Sequence, residues 1–198
     1  MNPSKKKDRK TNRTQEYILL QSMTLIRIPL AIAFLVILQA GKNTLATLVV
    51  NLLLLSLIEI TDLYDGRIAR KHGLVSEYGA TLDPFSDSVS RIILYWAMAT
   101  KGLVISFVPL VMALRDITVA YSRIFLAQNN RSVSAKKSGK LKASVQAVGA
   151  YLALLGPYYW KPVGRWSFYA LSWIIITVTF LSAIEYVKDA FISARKAG

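Results

Sequence analysis

From residue 23 to residue 187 the chain is a series of long apolar runs separated by short polar breaks. A helix that crosses about 30 Å of hydrocarbon needs about 20 mostly apolar residues. Six segments approach that requirement: 23–40 (MTLIRIPLAIAFLVILQA), 44–63, 86–100, 104–127, 143–160 and 167–187. A turn at Lys101-Gly102 divides the third from the fourth, the fifth ends at Gly156-Pro157, and Lys161 to Arg165 form a short loop before the sixth. No internal repeat is visible, and the only linker-like stretch is 128–142 (QNNRSVSAKKSGKLK). The pattern predicts an all-α integral membrane bundle of six transmembrane helices over 23–187. A basic arm (1–22) precedes it and a short tail (188–198) follows it.

Six spans put both termini on one side, and charge selects the side. With the termini cytoplasmic, the opposite face carries only Lys42, Lys101, Lys161 and Arg165 out of 25 Lys and Arg residues. That is the asymmetry of the positive-inside rule. A net charge of +14 with 54% hydrophobic residues and a mean hydropathy of +0.38 is unusual for a soluble protein. It fits apolar helices with charged ends. The isoelectric point of about 10.1 alone would suit nucleic-acid binding, but a membrane accounts for the basic residues better. The arm MNPSKKKDRKTNRTQEY lacks the apolar core of a signal peptide. A transit peptide fits it less well than a solvated arm on an anionic surface, because it contains Asp8 and Glu16.

Zero cysteines exclude disulfides, thiolate metal sites and thiol catalysis. The lone His72 excludes His-rich metal sites. Of only 11 acidic residues, four fall close together: Asp62, Asp65, Asp83 and Asp87. Charged groups near apolar helices are costly and therefore rare. Spacings of three and four put each pair on one helix face. Asp83 is a plausible N-cap with Pro84 in the first helical turn, and Gly79 is expected in the preceding loop. A hairpin joining the second and third segments would bring both pairs together at the membrane surface. Four unpaired carboxylates there repel one another, and hard cations relieve the repulsion. Oxygen-only ligands point to Mg²⁺ or Mn²⁺. With Arg67 and Arg70 alongside, such a site suits diphosphate chemistry. Solvated helix-end charges remain the plain alternative for two of the four. Gly66 and Ala69 share the face of Asp62, which suits either close ligand approach or tight helix packing.

The string Asp62-Leu-Tyr-Asp65-Gly66-Arg-Ile-Ala69-Arg70, followed by Gly79, Asp83 and Asp87, resembles the signature D-x₂-D-G-x₂-A-R-x₈-G-x₃-D-x₃-D of the CDP-alcohol phosphotransferase family. Every fixed position and gap is met. The resemblance implies a six-helix membrane enzyme, often a homodimer, whose four aspartates hold two divalent cations. It implies that Arg70 helps bind the diphosphate of a CDP-linked lipid, with Asp62, Gly66, Ala69, Gly79 and Thr24 contributing to that site. It also implies that Asp87 is the general base on the acceptor hydroxyl, with CMP leaving. Membrane prenyltransferases of the UbiA type also pair aspartates with Mg²⁺, but their motifs lie on distant helices of a longer bundle. A cation transporter would place its acidic residues near mid-membrane in broken helices.

For the acceptor, Arg115 and Arg123 are eight apart and share a helix face. Asp116 can serve Arg115, whereas Arg123 has no acidic neighbour in sequence, and a phosphate would supply one. Together with Gly139-Lys140, Lys142 and Gln146, this stretch is similar to the phosphatidylglycerophosphate synthases of the family. Thr24 and Arg27 match the first-span pattern N-x-x-T-x-x-R of those enzymes. Gln21 stands where they carry Asn, and Asp116 where they carry Glu. The resemblance implies CDP-diacylglycerol as donor and sn-glycerol 3-phosphate as acceptor, held by Arg115, Arg123, Lys140 and Lys142. Inositol phosphate is the nearest rival, with inositol and serine behind it, and the loop lysines also suit plain headgroup attraction. The expected setting is a bacterial cytoplasmic membrane with the site facing the cytoplasm and no nucleic-acid partner.

Overall fold

The computed structural model describes the backbone of residues 21–42, 44–72, 77–128, 137–159 and 164–195. Within them it describes every side chain except those at 63, 65–72, 77, 78, 80, 137, 159, 164, 165, 189, 190 and 193–195. Six helices make up nearly all of it: α1 (Arg27–Ala40), α2 (Leu45–His72), α3 (Glu77–Thr100), α4 (Phe107–Gln128), α5 (Lys137–Tyr159) and α6 (Gly164–Arg195). No strand occurs among the described residues. A helical turn at 21–25 leads into α1 through Ile26. Pro29 has no N–H to give the Leu25 carbonyl, which accounts for an interruption there.

Each of the six apolar segments falls mostly within a helix, so the all-α expectation holds for the described residues. Among the described residues, three stretches are long and apolar enough to cross a membrane: Gln21–Ala40, Leu45–Asp62 and Trp166–Lys188. Charges interrupt α3 at Asp83, Asp87 and Arg91 and α4 at Arg115, Asp116 and Arg123, and α5 opens on Lys137, Lys140 and Lys142.

The helix ends differ from the sequence expectation. α2 continues past residue 63 to His72, and α3 begins at Glu77. Gly79 is therefore helical rather than in a loop, and Asp83 is not an N-cap, because Pro84 lies inside the helix. α5 begins at Lys137, so Gly139, Lys140 and Lys142 sit on a helix rather than in a linker, and it passes Gly156-Pro157 to end at Tyr159. Hydropathy marks where a chain leaves hydrocarbon, and a helix is free to continue into the polar zone beyond. The Lys101-Gly102 turn is as expected. Gly102 adopts φ +71°, and Leu103 N–H donates to the Met98 carbonyl at 2.8 Å, closing α3 with a left-handed cap.

α4 packs most extensively on α6, and α1 on α3; α1 also lies against α2, and α5 against α6. The backbones of α2 and α3 rarely come close among the described residues. The core runs through Ala31 and Phe34, Leu55 and Ile58, Leu94 and Met98, Met112, and Ile175, all buried. The buried Tyr95 hydroxyl donates to the Gln146 carbonyl at 2.6 Å, and Gln146 Nε2 donates to Thr179 Oγ1 at 3.0 Å, joining α3, α5 and α6. Gly149 lets α5 approach. A Cβ there would lie 2.8 Å from Ile175 Cδ1 and 3.0 Å from the Tyr95 hydroxyl, the small-residue packing of membrane helices. Large apolar side chains such as Leu53, Leu114 and Ile174 cover the exterior. Exposed aromatics lie toward both ends of the bundle, Trp96, Phe107 and Trp166 toward one and Tyr64, Phe85 and Tyr121 toward the other, as expected for two membrane interfaces.

Candidate active site

The end of the bundle that bears Tyr64 and Phe85 carries the aspartates. α2 is 28 residues long, about 42 Å at 1.5 Å per residue, so it exceeds a hydrocarbon core of about 30 Å. Asp62 lies about 26 Å along it, near the hydrocarbon boundary.

Two buried arginines organise the carboxylates. Arg27, fully buried at the start of α1, donates from Nη1 to Asp62 Oδ1 and from Nη2 to Asp83 Oδ1, both at 2.6 Å. Arg91, 4% exposed, donates from Nε to Asp87 Oδ1 at 2.7 Å. Its two terminal nitrogens grip Glu59 Oε1 and Oε2 at 2.9 and 3.1 Å. Arg91 Nη2 also lies 3.7 Å from Asp62 Oδ2, an ion pair without a hydrogen bond. Asp62 is thus the hinge of the cluster, with one oxygen on each arginine.

The sequence expectation that the two halves of the motif meet is realised for Asp62, Asp83 and Asp87. They meet through guanidinium bridges, between backbones of α2 and α3 that rarely come close among the described residues. Their side chains stay partly open, at 29%, 48% and 28% exposure. Thr24 is buried beside them, its carbonyl accepting from Ser86 Oγ at 2.5 Å and tying the turn before α1 to α3. Gly79 is half-buried, four residues before Asp83 on α3. Asp65, Gly66, Ala69 and Arg70 lie on the last turns of α2, and their side chains are outside the described residues.

Among the described residues, no three acidic or histidine side chains are close enough together to hold one ion by themselves. The donor chemistry nevertheless suits hard cations. The cluster is all oxygen, it is partly open, and its carboxylates are already drawn together around positive charge.

A second cluster lies between α4, α5 and α6. Asp116 Oδ1 accepts from Arg115 Nη1 at 2.8 Å and from Lys142 Nζ at 2.9 Å, and all three are largely buried. Arg115 Nη2 donates to Ser182 Oγ at 2.9 Å. Arg115 and Arg123 lie over the Tyr186 ring, 5.3 and 5.6 Å from its centre, so they do share a face. Gly139 leaves room for Tyr186, whose hydroxyl would be 3.2 Å from a Cβ there. The four expected acceptor residues therefore divide. Arg115 and Lys142 are neutralised in part by Asp116, whereas Arg123 and Lys140 are exposed.

Sequence reasoning missed the parts played by Arg27, Arg91 and Glu59. The available signal was an arginine inside each of two apolar segments, one of them four residues after Asp87. Each such charge needs a partner.

The sequence profile described as CDP-alcohol phosphatidyltransferase matches residues 18–184. A Rickettsia typhi protein named CDP-diacylglycerol--glycerol-3-phosphate 3-phosphatidyltransferase is 30% identical over 84% of this chain and 93% of its own length. A Mycobacterium tuberculosis protein named "Probable phosphatidylglycerophosphate synthase" is 28% identical over 85% of this chain and 79% of its own. A Salmonella choleraesuis protein with the same name as the Rickettsia one is 28% identical over 71% and 78%. With the profile covering α1 to α5 and continuing into α6, the chain belongs to the CDP-alcohol phosphatidyltransferase family.

Proposed function

We propose that the protein transfers the phosphatidyl group of CDP-diacylglycerol to sn-glycerol 3-phosphate, releasing CMP and forming phosphatidylglycerophosphate. The observation that carries this reading is the pairing of an acidic cluster on α1–α3 with a basic one on α4–α6. The names of the relatives from Rickettsia and Salmonella agree with it.

Asp62, Asp65, Asp83 and Asp87 would hold two Mg²⁺ or Mn²⁺ ions, which when bound neutralise the donor diphosphate and polarise it for attack. Arg70 binds that diphosphate, while Asp62, Gly66, Ala69, Gly79 and Thr24 line the CDP-lipid site. Asp87 accepts the proton of the acceptor hydroxyl. The acceptor oxygen then forms a bond to the lipid-side phosphorus, and the bond from that phosphorus to CMP breaks with its electron pair on CMP. Arg115, Arg123, Lys140 and Lys142 supply the positive field for the acceptor phosphate.

In this reading all six helices span the membrane, and both termini are cytoplasmic. The 23–187 bundle is the catalytic domain between a basic arm (1–22) and a tail (188–198). The protein works as a homodimer in a bacterial cytoplasmic membrane, with the site on the cytoplasmic side. The concentration of Lys and Arg on that side supports the orientation.

The test is purified protein with CDP-diacylglycerol, Mn²⁺ or Mg²⁺, and one acceptor at a time, with CMP release and product mass recorded. Glycerol 3-phosphate should be used in preference to inositol phosphate, inositol and serine. Equal use of an unphosphorylated alcohol would overturn the acceptor assignment.

A further inference from the structure

Glu59 and Arg91 take no part in the proposed reaction, yet they form a buried, doubly hydrogen-bonded pair inside the acidic cluster. Arg91 is buried in α3, and three of its nitrogens donate to carboxylates: two to Glu59 and one to Asp87. Glu59 is on α2, one turn before Asp62. Among the described residues the backbones of α2 and α3 rarely come close, so the direct Arg91–Glu59 pair and the bridge through Arg27 of α1 link the two halves of the aspartate motif.

Charge makes the pair informative. An arginine among the aspartates fixes geometry, because its planar fork donates in set directions. Its positive charge also repels any cation those aspartates collect. Glu59 cancels that charge, and its bidentate grip holds the guanidinium so that Nε faces Asp87. An adhesive link between helices would need no third bond to Asp87, and no position 3.7 Å from Asp62.

Resting on the proposed function, we infer that Glu59 and Arg91 form a net-neutral brace. Arg91 is a positioning residue that orients the Asp87 carboxylate, and Glu59 cancels its charge so that the aspartates keep their full attraction for divalent cations. The two residues therefore act on cation affinity with opposite signs.

The experiment uses full-length protein in lipid nanodiscs. Mn²⁺ binding is read by electron paramagnetic resonance without substrate, alongside kcat, KM and Tm. Glu59→Gln leaves an uncancelled cation in the site and should weaken Mn²⁺ binding by about tenfold or more. Arg91→Gln should bind Mn²⁺ at least as tightly as wild type. It should lose about 10–100-fold in kcat, with little change in KM for CDP-lipid, because Asp87 is misaligned. Arg91→Lys keeps the charge but not the fork, so it should keep wild-type Mn²⁺ affinity and recover only part of kcat. The double variant Glu59→Gln/Arg91→Gln buries no unpaired charge, so it stays folded where a single variant fails. It should return to within about threefold of wild-type Mn²⁺ affinity while its kcat stays low. Single variants that shift Mn²⁺ affinity in the same direction, or a double variant with wild-type kcat, would overturn the brace. A wild-type protein that binds no Mn²⁺ would overturn the cation reading, and the brace with it.

Discussion

The acidic cluster of α1–α3 and the basic cluster of α4–α6 solve one electrostatic problem with opposite signs. In the first, cations sit between carboxylates: Arg27 between Asp62 and Asp83, and Arg91 among Glu59, Asp62 and Asp87. In the second, one carboxylate oxygen, Asp116 Oδ1, sits between Arg115 and Lys142. Burial differs as well. The three aspartates are each more than a quarter exposed, while Asp116 is 7% exposed. A partly open acidic set can still receive cations, whereas the Arg115–Asp116–Lys142 triad is closed off from solvent. Arg123, exposed over the same Tyr186 ring as Arg115, and the exposed Lys140 are then the cations on this side that can reach a soluble anion. The lesson is that the open members of an ionic cluster carry the chemistry, and the closed members hold it in place.

The strongest way to break this contrast is at the acidic end. EDTA should abolish CMP release, and Mg²⁺ or Mn²⁺ should restore it. Asp62→Asn should weaken metal affinity together with turnover, because Asp62 faces both arginines. Asp87→Asn should lose about 10²–10⁴-fold in kcat while still binding CDP-lipid, as expected for a general base. Activity of either variant in metal-free buffer would end the assignment.

A closed cluster should instead respond through stability. Asp116→Ala leaves two buried cations without their carboxylate and should destabilise the protein by about 3–5 kcal/mol. Thermal unfolding in detergent checks this, and an unchanged Tm would show that the triad is not structural.

Arg123→Ala sharpens the comparison from the open side. Losing a charge-assisted hydrogen bond of about 1.5–3 kcal/mol should raise the acceptor KM by about 10–150-fold. KM for CDP-lipid and Tm should hardly move, and Arg123→Lys should recover part of the loss.

The smallest effect is expected far from both clusters. Gly102→Ala meets no neighbouring atom but must adopt φ +71°, which costs about 1 kcal/mol of stability and leaves activity unchanged.

The order of the helices, the turn at Gly102 and the meeting of Asp62, Asp83 and Asp87 were all legible before any coordinates. Hydropathy and fixed spacings carry that information. The shared face of Arg115 and Arg123 was legible too, since eight residues are close to two turns. Helix ends were not. The apolar signal stops at the edge of the hydrocarbon, so the start of α3 at Glu77 and of α5 at Lys137 went unseen. An N-cap role for Asp83 was a consequence of that. The partners of Arg27 and Arg91 were illegible for a different reason. Periodicity gives the face of a helix but not the neighbour it meets, and Glu59 is 32 positions from Arg91.

The length of α2 has a kinetic consequence. With Asp62 near the hydrocarbon boundary, the donor reaches it by sliding within the plane of the bilayer and the acceptor by diffusing through water. The two substrates are then counted in different dimensions. For the lipid, the quantity that sets occupancy is its mole fraction among its neighbours in the leaflet, not its concentration in the tube. Diluting CDP-lipid with inert lipid at constant total amount per millilitre should slow the enzyme as if substrate had been withdrawn. Adding more vesicles of the same composition should not speed it. The acceptor obeys ordinary bulk saturation throughout.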